Sequence, residues 1–404
     1  MDTTMKSDSP VPEFAPVARH DIRMLRSSKI REVANAGLGR KDVLPFWFGE
    51  PDEPTPQPIR DAAIAHIAAG HTFYVQTLGT PTLREQLAAY VIRLHTPRSV
   101  DNIAVTSSGT AALMTAVQSI VGVGDHVVAV TPLWPNLVEM PKVVGASVTT
   151  VSLSFTDQGW ALDLDALLGA LTPNVRALLV NSPNNPTGWV MSSAEQRIVL
   201  EHCRKHGTWI IADDVYERYY YEGTVAPSFL DIAQADDRVI SCNSFSKAWL
   251  MTGWRVGWLV VPAALLPEIS KLIEYSTTCA PGFVQVAAEC ALQMGDPVIE
   301  RTVARLRLAR DHLAQRLGTV PGVELAGLAP GAMYTFFRVA GANDSLAFCM
   351  DLVKRGGLGL APGIAFGPEG EGYLRWCYAS SHAQLDEGVE RLTRYLASMA
   401  DPKA

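Results

Sequence analysis

VRALLVNSPNNPTG, residues 175–188, decides the fold. Its first half is apolar except for Arg176. A short, near-continuous apolar run reads as a strand buried on both faces. Its second half is polar and stiff. Pro183, Pro186 and Gly188 fix a loop, and Asn184 and Asn185 offer amide donors within it. Buried strands that end in polar loops belong to parallel sheets, whose ligands lie beyond the carboxyl ends of the strands.

The pattern repeats outward. Between about Asp101 and Pro262 the apolar runs are NIAVTSSGT (102–110), DHVVAVTPLW (125–134), TWIIADDVY (208–216), RVISCNSFSK (238–247) and WRVGWLVVP (254–262). Helical stretches such as AALMTAVQSIV follow the strands. This alternation predicts an α/β fold with a mostly parallel sheet and helices on both faces. After Pro281 the pattern changes. An amphipathic stretch at about Asp296–Leu317 leads to GAMYTFFRV, LGLAPGIAFG, YLRWCYAS and a last helix. That half reads as a smaller α+β domain. The expected division is an N-terminal segment 1–53 that packs with the small domain, a large domain 54–294, and the small domain 295–404. The segment PFWFGEPDEPTP (45–56) joins the first to the second.

Composition narrows the function. The chain has 404 residues, 48% hydrophobic and 19% charged, with a formal net charge of −7 and no basic block. Nucleic acid and anionic membrane are therefore not expected partners. The first twenty residues have acids, prolines and no apolar core, so no leader or membrane anchor is expected there, and the first dozen should fray. The longest apolar run, VGWLVVPAALLP, is too short to span a bilayer. Six scattered cysteines without a C-x-x-C pair suit a reducing cytoplasm. EHCRKH (201–206) has metal-ligand residue types, but on a helical stretch, and no metal is expected. GVGD (122–125) lacks the third glycine of a dinucleotide fingerprint, and no G-x-S-x-G elbow occurs.

The polar residues after the strands carry the chemistry. In SSGT, Ser108, Gly109 and Thr110 stand where a helix begins, which suits a phosphate and equally suits an ordinary helix cap. Asp213 ends an apolar strand and needs a cation, a protonated ring nitrogen, or a capping role. Trp134 suits stacking on an aromatic ligand or simple core packing. Arg375 alternates with Tyr373 and Cys377 in an apolar strand, so it demands an anion, either a ligand carboxylate or an internal acid. Lys247 sits among Ser244, Phe245, Ser246, Ala248 and Trp249, with Arg255 eight residues on. A semi-buried lysine in such a place needs a chemical task.

NSPNNPTG, DDVY and SFSKAWLMTGWRVG, in that order, resemble the class I/II aminotransferases of fold type I, over roughly Arg26 to Leu396. The resemblance implies pyridoxal 5′-phosphate as cofactor, with Lys247 carrying it as a Schiff base. It implies Arg255, Ser244, Ser246, Ser108, Gly109 and Thr110 at the phosphate, and Asp213 at the pyridine nitrogen. It implies Tyr216 and Asn185 at the ring 3-oxygen, with Trp134 stacked on the ring. Arg375 and Gly49 would hold the substrate carboxylate. Tyr74, in TFYVQTLG, would reach the phosphate of a neighbouring subunit, which implies a homodimer with shared sites. The activity implied is transfer of an amino group from an L-amino acid to a 2-oxo acid, in amino-acid metabolism or biosynthesis. A β- or γ-eliminating lyase would use the same residues. A DNA-binding regulator with a sensor domain of this type would need a longer N-terminal part. EYSTTCAPGF (274–283) lacks the arginine that aspartate-specific members often supply there. Trp47, Phe48 and Tyr275 suggest an apolar or aromatic side-chain pocket.

Overall fold

The structure is a computed structural model that describes residues 16–400. The stretch expected to fray lies outside them. Seven strands form the main sheet: β1 (Ile103–Thr106), β2 (His126–Thr131), β3 (Ser147–Ser152), β4 (Val175–Asn181), β5 (Trp209–Asp213), β6 (Val239–Ser244) and β7 (Gly257–Val260). Their spatial order is β1-β7-β6-β5-β4-β2-β3. Only β7 runs antiparallel to its neighbours. The α/β architecture is thus as the sequence predicts. Every residue of β1 and β6 is buried, and so is every residue of β4 but Arg176. This accounts for their unalternating apolar pattern.

One strand has no apolar signature. β3, SVTTVS, lies at the sheet edge and buries only Val151. Its hydroxyl-rich sequence reflects solvent on its open side.

The remaining parallel strands end on one side of the sheet. There β1 feeds the helix Gly109–Ile120, β4 feeds the loop from Ser182 to Gly188, β5 ends at Asp213 and β6 ends at Ser244. Asn181 and Asp213 are paired across β4 and β5, and Asn181 Nδ2 donates to the Asp213 carbonyl at 2.9 Å.

A second sheet comes from the C-terminal half: β8 (Val323–Glu324), β9 (Tyr334–Val339), β10 (Ala361–Pro362) and β11 (Tyr373–Cys377), in the order β8-β9-β11-β10. The helices Asp296–Leu317 and His382–Ala400 belong to the same half. Near the N-terminus, Leu44–Pro45 pairs in parallel with Leu358–Gly359. Val33, Ala34, Phe46 and Trp47 join Phe337, Leu358, Leu374 and Trp376 in one core. The N-terminal segment therefore packs on C-terminal strands some 300 residues away.

The main sheet comes closest to a helix at Gly257. A Cβ built there would lie 2.6 Å from the Asn243 carbonyl oxygen, 2.6 Å from Gly109 N and 2.8 Å from Ser108 C. All three contacts are backbone, so no side-chain rotation relieves them. We expect Gly257→Ala to destabilise the fold by about 1–3 kcal/mol. Urea unfolding measures it, and a midpoint equal to wild type would contradict this crowding.

Candidate active site

A cavity of about 440 Å³ opens at the strand ends. Its lining includes Gly109, Thr110, Trp134, Asn185, Asp213, Tyr216, Ser244, Ser246, Lys247, Arg255, Arg375 and Gly49. Residues separated by more than 300 positions thus meet in one space. Two predicted residues are not in that lining. The Ser108 hydroxyl caps its helix, accepting from Ala111 N at 2.9 Å. The capping reading therefore describes its side chain, while Gly109 and Thr110 face the cavity. Tyr74 is 87% exposed in the single chain. Tyr275, expected near the side-chain pocket, is likewise exposed and absent from the lining, whereas Trp47 and Phe48 are present.

Lys247 follows β6 in a tight, strained segment. Leu250 and Arg255 both adopt left-handed backbone, at φ 57° and 55°. Non-glycine residues accept that conformation when the surroundings enforce it, often at functional sites. The Lys247 amine donates to the Gly49 carbonyl, and its own carbonyl accepts from Tyr219 Oη at 2.5 Å. Burial lowers the Lys247 pKa from 10.5 to about 8, with Arg375 and Arg255 adding repulsion.

Asp213 is 4% exposed and, among the described residues, its carboxylate accepts only from Val215 N, at 3.4 Å. Burial raises its pKa from 3.8 to about 7, and Asp214 pushes it the same way. Asp214 points elsewhere and accepts from Ser241 Oγ at 2.5 Å and Ser228 Oγ at 3.3 Å. Adjacent strand residues face opposite sides, so only Asp213 enters the cavity.

Arg375 is 2% exposed, on β11. Among the described residues it has no ion-pair partner, and its Nε has no hydrogen-bond partner. Nη1 donates to Asn185 Oδ1 at 2.9 Å and Nη2 to the Trp47 carbonyl. No internal acid answers it, which leaves the ligand reading of this arginine.

Opposite, Ser244 Oγ donates to Ser246 Oγ at 2.8 Å and receives Ser246 N at 3.0 Å. With the N-terminus of the helix Gly109–Ile120 and exposed Arg255, these groups suit a dianion. A phosphate for the serines, the helix start and Arg255, a cation for Asp213 and a carboxylate for Arg375 fit pyridoxal phosphate with an amino acid. Trp134 is half-buried on the cavity wall, as a stacking ring requires.

Comparison with known proteins agrees. Residues 41–392 match the model for aminotransferase class I and II. The chain belongs to that family. It is 30% identical to an aspartate aminotransferase of Pyrococcus horikoshii, over 93% of this chain and 96% of the relative. It is 32% identical to an arginine–pyruvate transaminase of Pseudomonas aeruginosa, over 89% and 91%. The solved aspartate aminotransferase of Thermotoga maritima superposes with a TM-score of 0.87 at 30% identity, covering 94% of this chain and all of that one. The protein is a pyridoxal-phosphate-dependent transaminase of fold type I, and amino-group transfer stands over elimination. No helix among the described residues is long and apolar enough to cross a membrane.

Sequence reasoning missed several cavity residues. Tyr334 lines it from β9, and Ser28, Ile30 and Arg31 line it from the start of the helix Lys29–Gly37. Their only sequence signals are a hydroxyl in the apolar run GAMYTFF and a cap serine before an amphipathic helix.

The amine that attacks must be unprotonated. Because the folded pKa of Lys247 lies below the free value, the neutral fraction should appear through pH 8 rather than above pH 10. We expect borohydride-free modification of the cofactor-stripped protein by an amine-selective reagent to label Lys247 with a midpoint near pH 8. Peptide mapping across a pH series measures this, and a midpoint at an ordinary lysine value would refute the depression.

Proposed function

We propose that the chain moves the amino group of an L-amino acid to a 2-oxo acid through a Schiff base at Lys247. One observation carries the assignment: Lys247 and an acid-free, buried Arg375 line the same cavity. Bound pyridoxal phosphate supplies an aldehyde for the amino group and a ring that holds the electrons released at Cα. Arg255, Ser244, Ser246, Gly109 and Thr110 hold its phosphate in this reading, with Ser108 contributing through its backbone. Asp213 keeps the ring nitrogen protonated, and that cation in turn returns Asp213 to its carboxylate form. Tyr216 and Asn185 donate to the ring 3-oxygen, and Trp134 covers the ring face. Arg375 binds the substrate carboxylate as a fork, beside the Gly49 backbone, and so aligns the Cα–H bond. Lys247 Nζ would take the Cα proton as general base and, as general acid, deliver it to the cofactor's aldehyde carbon.

The same reading places the phosphate-binding groups in a large domain of residues 54–294, with Arg375 in a small domain of 295–404 joined by segment 1–53. It makes the protein a cytoplasmic homodimer of amino-acid biosynthesis. The aromatic residues Phe73, Tyr74 and Tyr275 support the dimer, because each is more than four-fifths exposed in the single chain. The named relatives act, by their names, on aspartate and arginine, so the donor has to be found by screening amino acids against several 2-oxo acids. Ammonia and 2-oxo acid formed without an added acceptor would overturn transfer.

Borohydride reduction should fix the cofactor to the peptide that contains Lys247, and label on any other lysine would displace it from this role. Asp213→Asn should fold and bind cofactor but lose on the order of 10²-fold or more in turnover. Turnover near wild type would remove the charge role.

Subunit sharing has its own test. A mixed dimer pairs a Lys247→Ala chain with a Tyr74→Phe chain. If Tyr74 acts across the interface, one site carries both lesions and the other carries neither. About half of wild-type activity should then persist on cofactor dilution. Activity that falls as steeply as in the Tyr74→Phe homodimer would show that Tyr74 serves its own chain.

A further inference from the structure

Tyr334 opens β9 and is 1% exposed. Its partner across the small sheet is Cys377, two residues beyond Arg375. Three cavity groups meet this one side chain. Its hydroxyl shares a 2.5 Å hydrogen bond with the Tyr216 hydroxyl, and the two rings stand edge to face at 5.7 Å and 81°. The Arg375 guanidinium lies 4.5 Å from the Tyr334 ring centroid, with Phe366 at 5.0 Å. The hydroxyl also abuts Gly49, where an added Cβ would fall 1.8 Å from Tyr334 Oη. Gly49 in turn receives the Lys247 amine through its carbonyl.

Packing alone does not account for this. A phenylalanine would fill the same space. Among the described residues the added hydroxyl has a single hydrogen-bond partner, and that partner faces the cavity. Each phenol carries one hydrogen and can donate once. If Tyr216 gives its hydrogen to the ring oxygen of the cofactor, the shared bond must be donated by Tyr334. A phenol that accepts one hydrogen bond donates a stronger one. The ring of Tyr334 meanwhile offers its negative π face to a guanidinium with no acid partner.

We propose that Tyr334 is a positioning residue of the transamination site, which orders the hydrogen of Tyr216 and supports Arg375 through its ring. The inference rests on the roles given above to Tyr216 and Arg375. It separates into a hydroxyl part and a ring part, and two substitutions address them.

The experiment uses the holoenzyme loaded with pyridoxal phosphate. It reads the pH titration of the Lys247-bound chromophore together with KM and kcat for an amino donor. In Tyr334→Phe the ring remains, so KM should stay within about two-fold of wild type. Weaker donation from Tyr216 leaves more negative charge on the ring oxygen, which favours the protonated chromophore. Its midpoint should therefore move to higher pH by about half a unit, a roughly three-fold gain in proton affinity. In a Tyr216→Phe background the same substitution should move the midpoint no further. Tyr334→Leu removes the ring, and KM should rise roughly ten-fold. An unmoved midpoint in Tyr334→Phe, or an equal shift without Tyr216, would overturn the hydroxyl part. An unchanged KM in a folded Tyr334→Leu would overturn the ring part, and Tyr334→Phe keeps the test open if that variant fails to fold. A wild-type enzyme with no chromophore on Lys247 would remove the underlying reading and this inference with it, before any substitution is made.

Discussion

A guanidinium that is almost wholly buried and faces no acid sets the terms for the rest of the site. A guanidinium in a protein is a permanent cation. Two carbonyl oxygens and two aromatic rings soften that charge without cancelling it. An aspartate at any of these places would neutralise the arginine and close the site to carboxylates. Asn185, Trp47, Tyr334 and Phe366 are all neutral, and that common property keeps the cation available. The same field bears on Lys247, whose amine is held near neutrality by burial and by the positive charge of Arg375 and Arg255. Opposite effects meet at Asp213, where burial and the charge on Asp214 favour the uncharged acid. Ligands that bear charges complementary to Arg375 and Asp213 therefore stabilise the folded state when they bind.

Much of this arrangement was legible because buried parallel strands write long apolar runs, and polar residues after such runs stand out. β4, β5 and β6 announce Asn185, Asp213 and Lys247 in this way. β3 did not announce itself, since an edge strand with one buried valine has no apolar run to read. Ser108 shows the limit of motif reading. A serine before a helix serves a cap or a phosphate with the same atoms, and here its oxygen accepts from Ala111 N while its hydroxyl hydrogen stays available to donate. Tyr334, Ile30 and Ser28 were invisible for a different reason. They reach the cavity by long-range packing of the N- and C-terminal segments, and no local spacing encodes that meeting. Tyr275 lies on the outer face of the helix Leu266–Thr277, so the cavity of its own chain does not receive it.

The site also joins the two sheets. Asp213, Tyr216 and Lys247 follow strands of the larger one, while Arg375 and Tyr334 sit on the smaller. The Tyr216–Tyr334 and Asn185–Arg375 bonds cross from one to the other. Left-handed backbone at Leu250 and Arg255 shapes the segment after Lys247, whose amine and carbonyl are held by Gly49 and Tyr219.

The crowding around Gly257 has a consequence for anyone who would redesign this protein. Asn243, Ser108 and Gly109 press on it with main-chain atoms, and Gly109 itself has Ser244 Cβ at 2.8 Å from an added Cβ. Two glycines therefore interlock beside Ser244 and the start of the helix Gly109–Ile120. Side chains that line the cavity from the N-terminal helix, such as Ile30 and Arg31, are not bound by that main-chain contact. The interlocked pair leaves no such latitude. It divides the scaffold into a part open to laboratory evolution and a part that libraries should leave alone.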